Sequence, residues 1–221
     1  MSEESLSLFD LTEIETALQG LKSGFATVNE RLTMQREELT DEMVGRLMEA
    51  YAFLNDLLAR GMDVFTPAGM HAMLELNHLV LCGSDPRVRT DYYAHLSATR
   101  KRFLKRVHPI RTYVLKTRRR NGDPCERATM FYSKVLSYPQ LFLEGNHRTG
   151  NILLNYLLIS AGAPPYVPRE DDAHEYLNLS GDFKLTERDN SFDTALKMPK
   201  YRKQFQAFLR GRGDARFVRG G

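Results

Sequence analysis

The chain has 221 residues, 42 % of them hydrophobic and 27 % charged, with a net charge of +3. That apolar share is enough for one sizeable core, and no run approaches the ~18 apolar residues of a helical membrane span. Cys82 and Cys125 are the only cysteines; without a CxxC pair or a third ligand at zinc spacing they argue against a disulfide scaffold or a structural zinc and fit a reducing cytosol. The acidic start, MSEESLSLFD, lacks the layout of a signal peptide, so a cytoplasmic protein is expected unless a secretion system reads a signal of another kind. Charge is unevenly spread. The first fifty residues hold eleven acids and four bases, whereas Asp85 to Arg120 is rich in Arg and Lys, which suggests two attracting faces or a basic surface for an anionic partner.

In chain order the pattern is helical nearly throughout. Thr40 and Asp41 open a helix carrying Met43, Leu47, Tyr51, Leu54 and Leu58 before Gly61 ends it. Thr66-Pro67 reads as a cap with proline in the first turn of a helix bearing Met70, Met73, Leu74, Leu76 and Leu81, stopped by Gly83. Ser84-Asp85-Pro86 starts another, with Tyr92, Tyr93, Leu96, Phe103 and Leu104. Pro109 interrupts it, and Thr112-Tyr113-Val114-Leu115 has strand character before the turn Asn121-Gly122-Asp123-Pro124. A helix from about Cys125 to Tyr138 precedes a loop. A helix apolar on nearly every side follows, through Ile152 to Ile159, as expected at the centre of a domain, and Gly162 with Pro164-Pro165 ends it. Further helices are expected at Asp171 to Leu179 and Ser191 to Leu209. Residues 1–40 read as an acidic helical extension, 41–209 as the main domain, and 210–221 as a basic mobile tail.

The loop Gln140-Leu141-Phe142-Leu143-Glu144-Gly145-Asn146-His147-Arg148-Thr149-Gly150-Asn151 carries the chemistry. Free amides entering a buried helix, reinforced by its dipole, make an anion site. Gly145 allows consecutive N–H groups to converge on one oxygen, Arg148 adds a planar donor fork, and Glu144 beside an anion site makes sense as a ligand to phosphate-bridging magnesium. The structural alternative has equal weight on the bare residues: Asn146 as an N-cap, Gly145 as a turn, Glu144 as a favourable helix-start charge.

The segment resembles the HxFx(D/E)GNGRxxR signature of the Fic/Doc (Fido) family, with Phe142, Glu144, Gly145, Asn146 and Arg148 at matching positions. The resemblance covers about Ala128 to Tyr166, with a looser helical likeness from Asp41 to Leu209. It implies an all-α bundle around a buried central helix, with room for a short β-hairpin flap. It also implies ATP or another nucleotide as substrate, Mg2+ on Glu144, phosphates on Gly145, Asn146, His147, Arg148 and Asn151, and transfer of AMP or another phosphate-linked group to a Ser, Thr or Tyr hydroxyl of a protein.

Three positions depart from the pattern. Gln140 stands where the family keeps its catalytic histidine, and a carboxamide can hold a hydroxyl but has no useful basicity near neutral pH. His147 replaces the second glycine, as a displaced catalytic base, a cationic phosphate ligand or an exposed loop residue. Asn151 replaces the terminal arginine that reaches the outer phosphate in adenylylating members. Family members dock the target segment on a flap before the signature. Arg111 to Arg118, with Thr112, Tyr113 and Val114 as docking residues, reads equally as that flap or as helix or loop. Thr33-x-x-x-Glu37 partly fits the family's inhibitory helix, but Glu38 breaks the ending, so the match reads as chance. The basic residues Arg100, Lys101, Arg102, Lys105, Arg106, Arg118, Arg119 and Arg120 come with no nucleic-acid motif and read as a solvated helix face. Two further functional classes stand beside the transferase: a non-catalytic nucleotide- or partner-binding module and, more weakly, a nucleic-acid-binding regulator.

Overall fold

Caps written into the sequence set several helix boundaries in the computed structural model, which describes residues 7–118, 122–187 and 191–219. Asp10 accepts hydrogen bonds from the Thr12 and Glu13 amides and opens α1 (Leu11–Glu30). Thr40 accepts from Met43 and opens α2 (Asp41–Ala59). Asp85 caps α4 (Pro86–Asp91), and Asp123 caps α6 (Pro124–Leu136) through the Cys125 and Glu126 amides. Each such oxygen satisfies amides that have no partner inside the helix. Between them lie α3 (Met70–Cys82) and α5 (Tyr93–Arg118). The chain continues through α7 (Asn146–Ile159), α8 (Ala173–Lys184), α9 (Ser191–Leu196) and α10 (Met198–Arg212). The only strands among the described residues are β1 (Leu8–Phe9) and β2 (Val218–Arg219), paired antiparallel. The protein is all-α.

The apolar helix read from the sequence is the centre. Every residue of α7 from Thr149 to Ile159 is buried, and α6, α3 and α2 pack around it. Leu153, Leu154, Leu157 and Leu158 are 0–2 % exposed; removing each from water contributes about 1.5–3 kcal/mol. Gly150 sets how near α6 can come, since a Cβ there would lie 2.8 Å from the Tyr132 ring. The inner faces of α10 and α8 add Phe205, Phe208, Tyr176 and Phe183, Phe205 stacked on Tyr132 and Phe208 edge-on to Tyr166.

Two expectations are overturned. The Thr112–Val114 segment is not a strand but the last turns of α5, which runs through Pro109. Phe103, Val107, Ile110 and Val114 form one buried stripe at helical spacing along it. Pro109 and Lys105 are both exposed, so the Lys105 carbonyl that loses its helical partner to proline can be solvated. Val114 is in the core, and helical amides cannot add a strand, so a target-docking flap at Thr112, Tyr113 and Val114 is ruled out. The C-terminal segment is likewise no tail within the described residues. Helix α10 reaches Arg212, Phe217 is fully buried, and β2 closes on β1. Arg169 clamps this return through ion pairs to Asp214 and to the buried Asp172, and the Asp214 amide donates to Pro165 O. Residues 220–221 lie outside the described residues, as do Arg119, Arg120 and part of the 121–124 turn.

Because Phe217 holds the C-terminal return in the core, Phe217→Ala should lower stability by about 3 kcal/mol in urea unfolding. An unchanged midpoint would mean that the segment is not packed in solution.

Candidate functional site

The loop between α6 and α7 is built by asparagines. Asn146 folds its amide back on the loop: Oδ1 accepts from the Phe142 amide at 2.9 Å, and Nδ2 donates to Phe142 O at 3.0 Å and to Gln140 Oε1 at 3.4 Å. Asn77, buried on α3, donates through Nδ2 to Glu144 O and to Thr149 Oγ1, both at 3.0 Å. From the other side the basic face of α5 reaches in, Arg102 donating to Phe142 O at 3.4 Å and Arg106 to Pro139 O at 3.3 Å. These two arginines are therefore loop supports, and Arg100, Lys101 and Lys105 make up the exposed remainder of the basic face. No ion pair joins that face to the acidic N-terminal fifty among the described residues.

Gly145 caps α7 with φ +70°, and no side chain caps the helix. A side chain there would be strained, and its Cβ would sit 3.0 Å from Asn77 Nδ2 and 3.2 Å from Leu81 Cδ2. The first-turn amides of α7 are thus left for an anion, at the positive end of a buried dipole. They open on a cavity of about 550 Å3 lined by Gln140, Glu144, Gly145, Asn146, His147, Arg148 and Asn151, together with Arg36, Glu37 and Lys184. A more open hollow between α1 and residues 169–171 shares none of the loop.

The predicted site residues come together, but not all in the expected roles. The Asn146 side chain is spent on loop shape, so only its backbone can meet a phosphate. Asn151 is taken up in a buried network, donating to Tyr166 O at 3.3 Å and accepting from Asn155 at 3.4 Å. It does not stand in for a cationic outer-phosphate ligand. Arg148 is half-buried; burial and Arg46 lower its pKa while Glu37 and Glu144 raise it. The Glu144 carboxylate is 65 % exposed, with His95 Nε2 3.9 Å away. Among the described residues no cluster of three acids, histidines or cysteines is arranged to hold a metal. One open carboxylate fits magnesium only where phosphates and water supply the other ligands, which is how that ion is commonly held.

His147 is not an exposed loop residue. It sits in the first turn of α7 with Nδ1 3.3 Å from Ser180 Oγ. Ser180 Oγ donates to Leu177 O at 3.1 Å, so the hydrogen bonding assigns the imidazole proton to Nδ1 and leaves Nε2 a bare acceptor, buried and without a partner. Burial, with Arg36, Lys184 and Arg148 adding repulsion, pushes its pKa down to about 3. In this state the imidazole is neutral.

Residues 31–40 form an irregular strap across the cavity. Its Arg36 peptide is held by Asn29 on both sides, at 2.8 and 3.2 Å, and its Thr33 amide by Asn178 at 2.9 Å. The strap is not helical, so Thr33–Glu37 does not form an inhibitory helix. Glu37 is nonetheless an acid whose charge acts on Arg148. Asn77, Arg102 and Arg106 carry no sequence signal of their own, because their roles depend on which helix faces the loop.

The chain is 30 % identical over 149 residues to the protein adenylyltransferase fic-1 of Caenorhabditis elegans, a match over 63 % of this chain and 28 % of that protein. It is 26 % identical over 143 residues to the protein adenylyltransferase Fic of Nematostella vectensis, over 62 % of this chain and 32 % of that one. These relatives support a Fic-type family. The chain spans about a third or less of the length of either. No family model matches it, and no solved structure does.

Two outcomes test this geometry. Gly145→Ala should destabilise the fold by about 1–2 kcal/mol, the cost of a side chain in the left-handed region, read as a lower thermal midpoint. The sign for His147 follows from its lowered pKa. As pH falls from the ordinary value of 6.5, the unfolded chain takes up the proton first, so the site's stability is whole above 6.5 and drains away towards about 3. His147→Gln should therefore flatten the loss of stability between pH 6.5 and 4, by up to about 1.4 kcal/mol per pH unit; equal slopes would contradict a buried neutral imidazole.

Proposed function

We propose that the cavity binds the phosphates of a magnesium-bound nucleotide and that the protein is a divergent, slow transferase of the Fic type, moving AMP from ATP to a hydroxyl side chain of another protein. The observation that carries this is the uncapped amide turn of α7 behind Gly145, opening with Arg148 and Glu144 onto one cavity. Residues 41–209 would form the working domain, with 1–40 contributing the strap.

Each residue has a bounded task. The α7 amides and Arg148 hold phosphate oxygens and stabilise charge on them. Glu144 would hold magnesium, which when bound neutralises phosphate charge and orients the phosphates. Gln140, fixed by Asn146, orients the incoming hydroxyl. In the transfer itself the hydroxyl oxygen bonds to the α-phosphorus, the bond to pyrophosphate breaks, and the hydroxyl proton goes to water or to the leaving phosphate, since Gln140 has no basic atom. Lacking a general base costs about 10²- to 10⁴-fold. A second reading, a nucleotide-binding module without transfer, is favoured by the same Gln140 and by the buried, neutral His147.

Calorimetry with ATP and magnesium should show metal-dependent binding, weakened about tenfold or more by Arg148→Ala and made metal-independent by Glu144→Ala. With labelled ATP and a cell lysate, followed by intact mass, Gln140→His should raise transfer by about 10²- to 10⁴-fold. Binding without transfer in that variant would leave the module reading. The absence of any nucleotide binding would sink both.

A further inference from the structure

The strap places a second cation opposite the loop. Arg36 lines the same cavity as His147, Arg148 and Lys184, and its guanidinium crosses to α8, where Nη2 would lie 3.6 Å from a Cβ on Gly181. Among the described residues it makes no ion pair, and its buried Nε has no hydrogen-bond partner. A stranded, buried charged donor is destabilising unless an acceptor arrives. Asn29 holds the backbone of Arg36 itself and Asn178 that of Arg31 and Thr33, so its placement is built and not incidental. Lys184, in the last turn of α8, likewise has no acid partner among the described residues. Both charges act on the buried imidazole of His147, with Arg148 beyond them. Opposing carboxylates in the cavity wall are Glu37 and Glu144, and Glu144 is the residue assigned to the metal.

These two side chains come to the cavity from elements outside the loop, with no acid partner among the described residues. We propose that Arg36, from the 31–40 strap, and Lys184, from the end of α8, are the ligands that hold the outer phosphates of the nucleotide and set a preference for triphosphate over monophosphate. Arg36 offers a planar donor fork and Lys184 a point charge. This rests on the reading that the cavity takes a nucleotide.

The test measures ATP, AMP and inorganic tripolyphosphate binding by calorimetry, each with magnesium, for the full chain and for Arg36→Gln, Lys184→Gln, the double variant and the charge-conserving Arg36→Lys. Circular dichroism and thermal midpoints confirm that each variant is folded. Each glutamine variant should weaken ATP and tripolyphosphate about tenfold and leave AMP within about twofold, with Arg36→Lys recovering part of the loss. If the unaltered protein binds ATP and both glutamine variants bind it equally well, or if AMP weakens as much as ATP, the assignment is wrong while the nucleotide site stands. If tripolyphosphate binds and depends on Arg36 and Lys184 while no nucleotide binds, the cation pair is upheld and the transferase reading falls. Binding of neither ligand overturns both.

Discussion

Asn77 and Asn146 hold the loop before α7 in a shape that no regular hydrogen-bond ladder would give it. Asn146 closes the loop on itself across Phe142, and Asn77 ties its far end to Thr149, one turn into the helix. With both in place, Gly145 is at positive φ, and no side chain caps the first amides of α7. Buried side-chain hydrogen bonds of this kind fix a geometry more sharply than apolar packing does, here through Asn77 Nδ2 and both ends of the Asn146 amide. Arg102 and Arg106 complete the frame from α5, which is why that helix is basic on a face that would otherwise read as solvated.

The same economy explains which signature positions have changed their work. Asn151 and Asn155 form a buried cluster with Tyr51 and Tyr166, and Asn155 satisfies both the amide and the carbonyl of Tyr166, at 2.9 Å each. That cluster locks the chain leaving α7 against the chain entering from α2. An arginine at 151 would bring a charge into it without an acid to meet it. His147, too, is absorbed into the packing against α8, and two of the three cations that act on it, Arg36 and Lys184, come from outside the signature.

Much of the fold was legible because it follows from local chemistry. Thr40, Asp85 and Asp123 announce helix starts, Gly83 and Gly162 announce ends, and the unbroken apolar run from Ile152 marks the central helix. The strand reading at Thr112–Val114 failed where β-branched residues and a preceding proline outweighed a longer signal. The stripe Phe103, Val107, Ile110 and Val114 passes straight through Pro109, and tertiary packing of that stripe decides the matter. The C-terminal residues read as a tail because glycine and arginine dominate them, whereas the lone Phe217 and the Arg169–Asp214 pair anchor them. In the site, the residues that share the loop were readable from spacing. Asn77, Arg36 and Lys184 were not, since each reaches it across more than thirty residues of chain.

Whether the uncapped amides of Gly145 to Arg148 receive phosphate can be read by titrating isotope-labelled protein with ATP and magnesium and following backbone amide resonances. The largest shifts and the strongest protection from solvent exchange should fall on Gly145, Asn146, His147 and Arg148, with smaller changes along the 31–40 strap. Unmoved amides at these four positions, or shifts concentrated on another face of the protein, would contradict phosphate binding there.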